Sequence, residues 1–266
     1  MSAADRWSSA LADWAIPERI LSQAAESPWD LPPWVFSEAA IRSLTSPPTP
    51  THLLINAHLP TGGVLLDVGA GGGAASLPSS DKAGLIVAVD QSPTMLRQFL
   101  QLAEGRAAAT TVVGHWPEVA GQVEVADVVV CANVAYNVSA LGDFVEALTH
   151  KARRGVVMEL TASHPQAPLG WLWKHFWQLD RPTSPTAEDA LEVIRERVRK
   201  EVQVVTWTGP EPLALAVNPE AVAWTRRRLC LEPSREAEIR DLLLTHPSDT
   251  PGQMVTLGWR GDASDG

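Results

Sequence analysis

Between Gly63 and Thr161 the chain alternates short, wholly apolar runs with amphipathic stretches. GVLLDVG (63–69), LIVAVD (85–90), ATTVVG (109–114), DVVVCANV (127–134) and RGVVMELT (154–161) each hold an uninterrupted apolar stretch, with most of their polar residues toward the ends. Such runs predict strands buried on both faces. PTMLRQFLQLAEG (93–105) and ALGDFVEALTHKA (140–152) lie between them and place apolar residues three and four apart, as helices do. Fully apolar strands separated by helices predict a mostly parallel sheet covered on both sides.

The same pattern extends outward. Trp7, Leu11, Trp14 and Ala15 share one helical face that Pro17 closes, and ERILSQAA, FSEAAIRSL and PTHLLINAHL predict three more helices before the first strand. After the fifth strand comes an aromatic stretch, LGWLWKHFWQLDRP, and then a helix with Thr186 as its cap ahead of Glu188 and Asp189. VQVVTWTG and QMVTLGWR predict strands six and seven, with PEAVAWTRRRLCL and PSREAEIRDLLLT helical between them. The expected organisation is a helical N-terminal cap over 1–49, a core over 50–260 with lid insertions near 165–185 and 210–250, and a frayed tail over 261–266.

The first strand ends in an acid and a glycine-rich turn, LLDVGAGGGAASLP, which is read here as feeding a helix. Glycines at such a junction let backbone N–H groups approach a ligand. Gly69, Gly71 and Gly73, with Ala74 behind them, also fit the dinucleotide pattern, so the glycines alone leave the cofactor open. Two acids narrow it. Asp90 ends the second strand, 21 positions after Gly69, where a carboxylate can accept from both ribose hydroxyls. Asp67 stands inside an apolar strand, where an unpartnered charge is costly; the amino group of a bound amino-acid moiety is a natural partner.

VLLDVGAGGGAASLP resembles the first motif of class I S-adenosylmethionine-dependent methyltransferases, D/E-x-G-x-G-x-G, on Asp67, Gly69, Gly71 and Gly73. LIVAVDQSPTMLRQF resembles the motif that follows, with Asp90 in the ribose position and Met95 near the adenine. The resemblance implies a Rossmann-like, seven-stranded α/β fold and S-adenosylmethionine as cofactor. Carried over residue by residue, the cofactor set is Asp67, Gly69, Ala70, Gly71, Gly73, Asp90, Gln91, Met95, His115, Trp116 and Asn133. One position departs from the family: where an aspartate commonly meets the adenine amine, VVGHWPEVA has His115, so backbone contacts from His115 and Trp116 must serve.

Strand four ends in CANVAYNV, without the prolines of base-methylating relatives and without carboxylates for magnesium, so no metal is expected. Tyr136 and Asn137 are candidates to orient the acceptor, and Glu159 and His164 candidates to accept its proton. Trp34, Trp171, His175 and Arg227 are candidates for the acceptor pocket, from the lid segments and from the only dense basic cluster, Arg226 to Arg228.

Composition sets the outer bounds. A net charge of −10 disfavours a phosphate backbone as partner. Two cysteines make no disulfide framework and fit a reducing cytoplasm, and no window has the apolar length of a membrane span. The expected acceptor is a small molecule. Two other classes share parts of this pattern: an NAD(P)-dependent oxidoreductase, which would use the same turn and Asp90, and a non-catalytic cofactor-binding or interaction module.

Overall fold

A computed structural model describes residues 1–29, 33–210, 218–246 and 252–264, with the side chains of 33–37 excluded. Seven strands form one sheet: β1 (Gly63–Val68), β2 (Ala83–Asp90), β3 (Ala109–Val113), β4 (Ala126–Ala132), β5 (Ala152–Thr161), β6 (Gln203–Thr208) and β7 (Gln253–Trp259). Their order is β3-β2-β1-β4-β5-β7-β6. Strands β1 to β5 pair in parallel, and β7 enters antiparallel between β5 and β6. The chain therefore has the expected seven-stranded, mostly parallel α/β architecture, while the antiparallel β7 departs from the all-parallel dinucleotide-binding order.

Successive side chains of a strand point to opposite faces, and the two faces have separate cores. On one face Leu66, Val68, Val129, Cys131, Val156 and Met158 pack with residues of α1 (Ala3–Ala12), α6 (Leu141–His150) and α8 (Ala187–Val198). On the other, Leu65, Ile86, Ala88, Val128, Val130 and Val157 pack under α4 (Pro50–His58) and α5 (Pro93–Ala103). The short α2 (Glu18–Leu21) and α7 (Gly170–Trp177), α9 (Pro219–Arg228) and α10 (Glu236–Thr245) share a third cluster that includes Ile20, Leu172, Trp173, Val222 and Ile239. The remaining helix, α3 (Pro33–Thr45), leads into α4. Among the described residues no helix is long and apolar enough to cross a membrane.

Two expectations are revised. The first is the helix after the glycine turn: only a 3-10 turn, Leu77–Ser79, forms between β1 and β2. Gly69, Gly71 and Gly73 have φ of 73°, 52° and 92°, outside the right-handed helical region. Pro78 then lacks the N–H that a helix would direct to the Ala74 carbonyl. The Ala74 carbonyl instead lies 3.0 Å from His52 Nε2 on α4. Second, two residues of the segment expected to fray after β7 are held: Asp262 N donates to the Thr149 carbonyl and Ala263 N to the Ala152 carbonyl, both at 3.0 Å.

Candidate active site

The C-terminal edge of β1 and β2 gathers the acids and the glycines. Asp67 is 1% exposed, and its Oδ2 accepts from Ser76 Oγ at 2.5 Å. No donor among the described residues reaches its Oδ1. Burial, helped by the nearby Asp90 charge and opposed by the Ser76 bond, raises the Asp67 carboxyl to about 7. Asp90 is held by backbone: Oδ2 accepts from Gly71 N at 2.9 Å and Oδ1 from Ser92 N at 2.8 Å. Gly69 allows no side chain, because a Cβ there would strike Val134 of the loop after β4.

Around this turn lie the other expected cofactor contacts. Ala70 is buried beside Gly71, Gln91 is exposed just after β2, and Met95 is buried in the first turn of α5. His115 is exposed after β3; Trp116 is half-buried, and its Nε1 is enclosed with no acceptor. Asn133 follows β4 with φ 59°, the left-handed conformation that asparagine tolerates. Its Nδ2 donates to Glu159 Oε1 at 3.1 Å and its backbone N to the Glu159 carbonyl at 2.8 Å. Asn137 is exposed at the same edge.

Glu159 is engaged on both oxygens, since Thr51 Oγ1 donates to Oε2 at 2.5 Å. Thr51 has one proton, so Thr256 Oγ1, 2.7 Å away, donates to it in turn, and Trp207 Nε1 donates to Thr256 Oγ1 at 2.9 Å. Thr51 and His52 of α4 thus fasten Glu159 and the glycine turn, and sequence reading missed both. Their signal was faint: two polar residues inside a helix, each buried in the structure (0% and 4% exposed).

Tyr136 and His164 sit deeper than acceptor-orienting or proton-accepting groups need. The Tyr136 hydroxyl donates to the Thr161 carbonyl at 2.8 Å, its ring stacks on Trp7 at 5.6 Å, and burial pushes its pKa up. His164 is 6% exposed, lies 3.8 Å from the parallel Trp14 ring and meets Tyr136 edge-on at 5.2 Å. Burial, aided by the charges of Arg181 and Arg228, lowers it to about 4, so it is neutral at pH 7. Its Nδ1 accepts from Gln166 N at 3.2 Å, which leaves the proton on Nε2.

The lid candidates separate. Trp171 stacks on His246 at 4.7 Å. His175 reaches Glu238 at 3.4 Å on the surface, and Arg227 lies 3.7 Å from Glu26. The Trp34 side chain lies outside the described residues.

This strand order and turn have known counterparts. A cyclopropane-fatty-acyl-phospholipid synthase-like protein from Lactobacillus casei superposes with a TM-score of 0.54 at 15% identity, covering 91% of this chain and 97% of that one. YcgJ from Bacillus subtilis gives 0.51 at 15% identity, over 84% and 100%. A protein solved in a study of disulfide-to-thioacetal conversion in echinomycin biosynthesis gives 0.53 at 16%, over 84% and 85%. At these identities the likeness is one of fold. No curated protein matches the chain in sequence. A family model described as "Methyltransferase domain" matches residues 66–158, the stretch from β1 to β5 that holds Asp67, the glycines, Asp90 and Asn133. The chain carries a methyltransferase domain in the class I fold.

Proposed function

We propose that this enzyme transfers the methyl group of S-adenosylmethionine to an oxygen or nitrogen of a small-molecule acceptor in the cytoplasm. The observation that carries the cofactor assignment is Asp67: a buried carboxyl beside a second acid, with one oxygen unmatched, fits an incoming ammonium group. In this reading Asp67, Gly69, Ala70, Gly71 and Gly73 hold the amino-acid end of the cofactor. Asp90 keeps lone pairs for the ribose hydroxyls, and Gln91, Met95, His115 and Trp116 line the adenine.

Held there, S-adenosylmethionine would supply an electrophilic methyl carbon to the acceptor's oxygen or nitrogen, the electron pair of the carbon–sulfur bond staying on sulfur. The chain's own task is to fix the line of attack and exclude water. Asn133 and Asn137 at the open edge orient the acceptor. Glu159, engaged on both oxygens, holds Asn133 in place. Tyr136 and neutral His164 form a packed wall, and the acceptor proton leaves to water. Trp171, His175 and Arg227 belong to the outer lid, within the 165–185 and 210–250 insertions of a 50–260 core, behind the 1–49 cap and ahead of the 261–266 tail.

Calorimetric titration with S-adenosylmethionine, S-adenosylhomocysteine, NAD and NADP tests the assignment. Micromolar binding of the first two alone is expected; binding of a nicotinamide cofactor, or of nothing, overturns it.

A further inference from the structure

The three adjacent arginines at the end of α9 have three different settings. Arg226 is 4% exposed and fully matched: Nη2 donates to Glu26 at 2.8 Å and Nε to Glu236 at 3.3 Å. Arg227 is loosely paired with Glu26. Arg228 has no carboxylate in ion-pair range among the described residues. Its guanidinium lies over the faces of Trp29 and Trp224, 5.7 Å from each centroid, and its Nε is enclosed with no acceptor.

Arg181, just beyond α7, repeats this pattern. Its guanidinium lies over Trp14 at 5.1 Å and Trp173 at 4.9 Å. Its Nη groups donate only to the carbonyls of Ala15 and Trp14, and its Nε is also enclosed without an acceptor. Trp224 Nε1 and Arg227 Nε are two further enclosed N–H groups with none.

In a chain with 31 acids and 21 basic residues, two half-buried guanidiniums with no carboxylate in ion-pair range among the described residues are unusual. Indole faces attract a cation but do not satisfy its N–H groups, and a carboxylate or phosphate fits the guanidinium fork. Both charges act on His164. Through His164, and through the Trp14 ring that His164 and Arg181 share, they connect to Tyr136 at the end of β4.

We propose that Arg181 and Arg228 form the anion-binding end of the acceptor site, and that the acceptor bears a carboxylate or a phosphate. This rests on the methyltransferase reading above. It moves the anion contact from Arg227, which has Glu26, to the two arginines that have no acid in range among the described residues.

The test titrates the full chain, with and without S-adenosylhomocysteine, with benzoate, phenyl phosphate and benzamide. The same titrations are run on Arg181→Met, Arg228→Met and the charge-retaining Arg228→Lys, with melting curves to establish folding. At least one anion should bind about tenfold more tightly than benzamide to the parent protein. That preference should vanish in the methionine variants, persist in part in Arg228→Lys, and leave S-adenosylhomocysteine affinity unchanged throughout. Whichever anion is preferred names the acceptor's group. No anion preference, or one that survives both methionine substitutions, overturns the anion site while S-adenosylhomocysteine binding keeps the methyltransferase reading intact. Loss of S-adenosylhomocysteine binding in the parent protein overturns that reading instead.

Discussion

At the glycine turn, Asp90 is met on both oxygens by backbone N–H groups and Asp67 by Ser76, whereas beyond α7 and at the end of α9 the partners of Arg181 and Arg228 among the described residues are carbonyls and indole rings. The acids stand at strand ends, where the neighbouring backbone is fixed by the sheet and its N–H groups arrive at set distances. The arginines reach inward from less regular ground on long side chains, packed by aromatic surface. One region is organised by the backbone before any ligand arrives; the other leaves its donors for the ligand to complete.

The sharpest way to break the contrast is to remove the unmatched acid. Asp67→Ala should weaken S-adenosylhomocysteine binding on the order of 10² to 10³-fold, the loss expected when one partner of a buried, hydrogen-bonded charge pair is truncated. Asp90→Ala should weaken it by about 10²-fold through lost hydrogen bonds to a charged group. Calorimetry checks both, and a loss below about threefold in either variant removes that acid from the cofactor set.

Next in size is stability at the arginine cluster. Arg226→Ala leaves Glu26 and Glu236 without their buried cation and should destabilise by about 2 kcal/mol, roughly 4–8 °C in melting temperature. Arg228→Ala should shift melting much less, because among the described residues no carboxylate depends on it. Equal shifts would erase the distinction between a structural and a ligand-facing arginine.

Acidity offers a finer probe. The folded protein keeps a proton on Asp67 up to about 7, while the unfolded chain releases it near 3.8. This group's contribution to stability is therefore complete below pH 4 and lost as pH rises to 7. Bound ammonium favours the carboxylate, so cofactor binding near pH 6.5 should release a proton, visible as a dependence of binding enthalpy on the buffer. Asp67→Asn should abolish that release. His164 slopes the other way: the unfolded chain takes up a proton below 6.5 that the folded imidazole refuses until about 4. That group weakens folding as pH falls through this window, and His164→Asn should remove the effect. The smallest expected change is in turnover: His164→Asn should lower kcat less than tenfold, since a neutral ring with its acceptor nitrogen occupied is not the base.

Much of this molecule was legible from its hydrophobic pattern. Runs such as DVVVCANV and RGVVMELT can only be buried strands, and the spacing of Asp67 and Asp90 around the glycines placed both acids at one sheet edge. The missing helix was harder, although Pro78 and the glycines were in view, because strand-turn-helix is the common continuation of such a turn. Thr51 and His52 escaped notice because their importance comes from partners at Glu159, Thr256 and Ala74, 22 to 205 positions away. Arg181 could not be singled out, because having no acid in range among the described residues is a fact of three dimensions. For the same reason Arg227 looked equivalent to Arg228.

The placement of α1 and the turn after it bears on how the protein can be cut. Trp7 stacks on Tyr136, Trp14 stacks on His164 and carries Arg181, and Ala3 N donates to Glu196 on α8 at 3.0 Å. A fragment trimmed to the matched 66–158 segment would retain the glycine motif yet strip the indoles from its own wall, along with His52 and Thr51. Truncation of the first 14 residues would therefore expose Tyr136, His164 and Arg181 together.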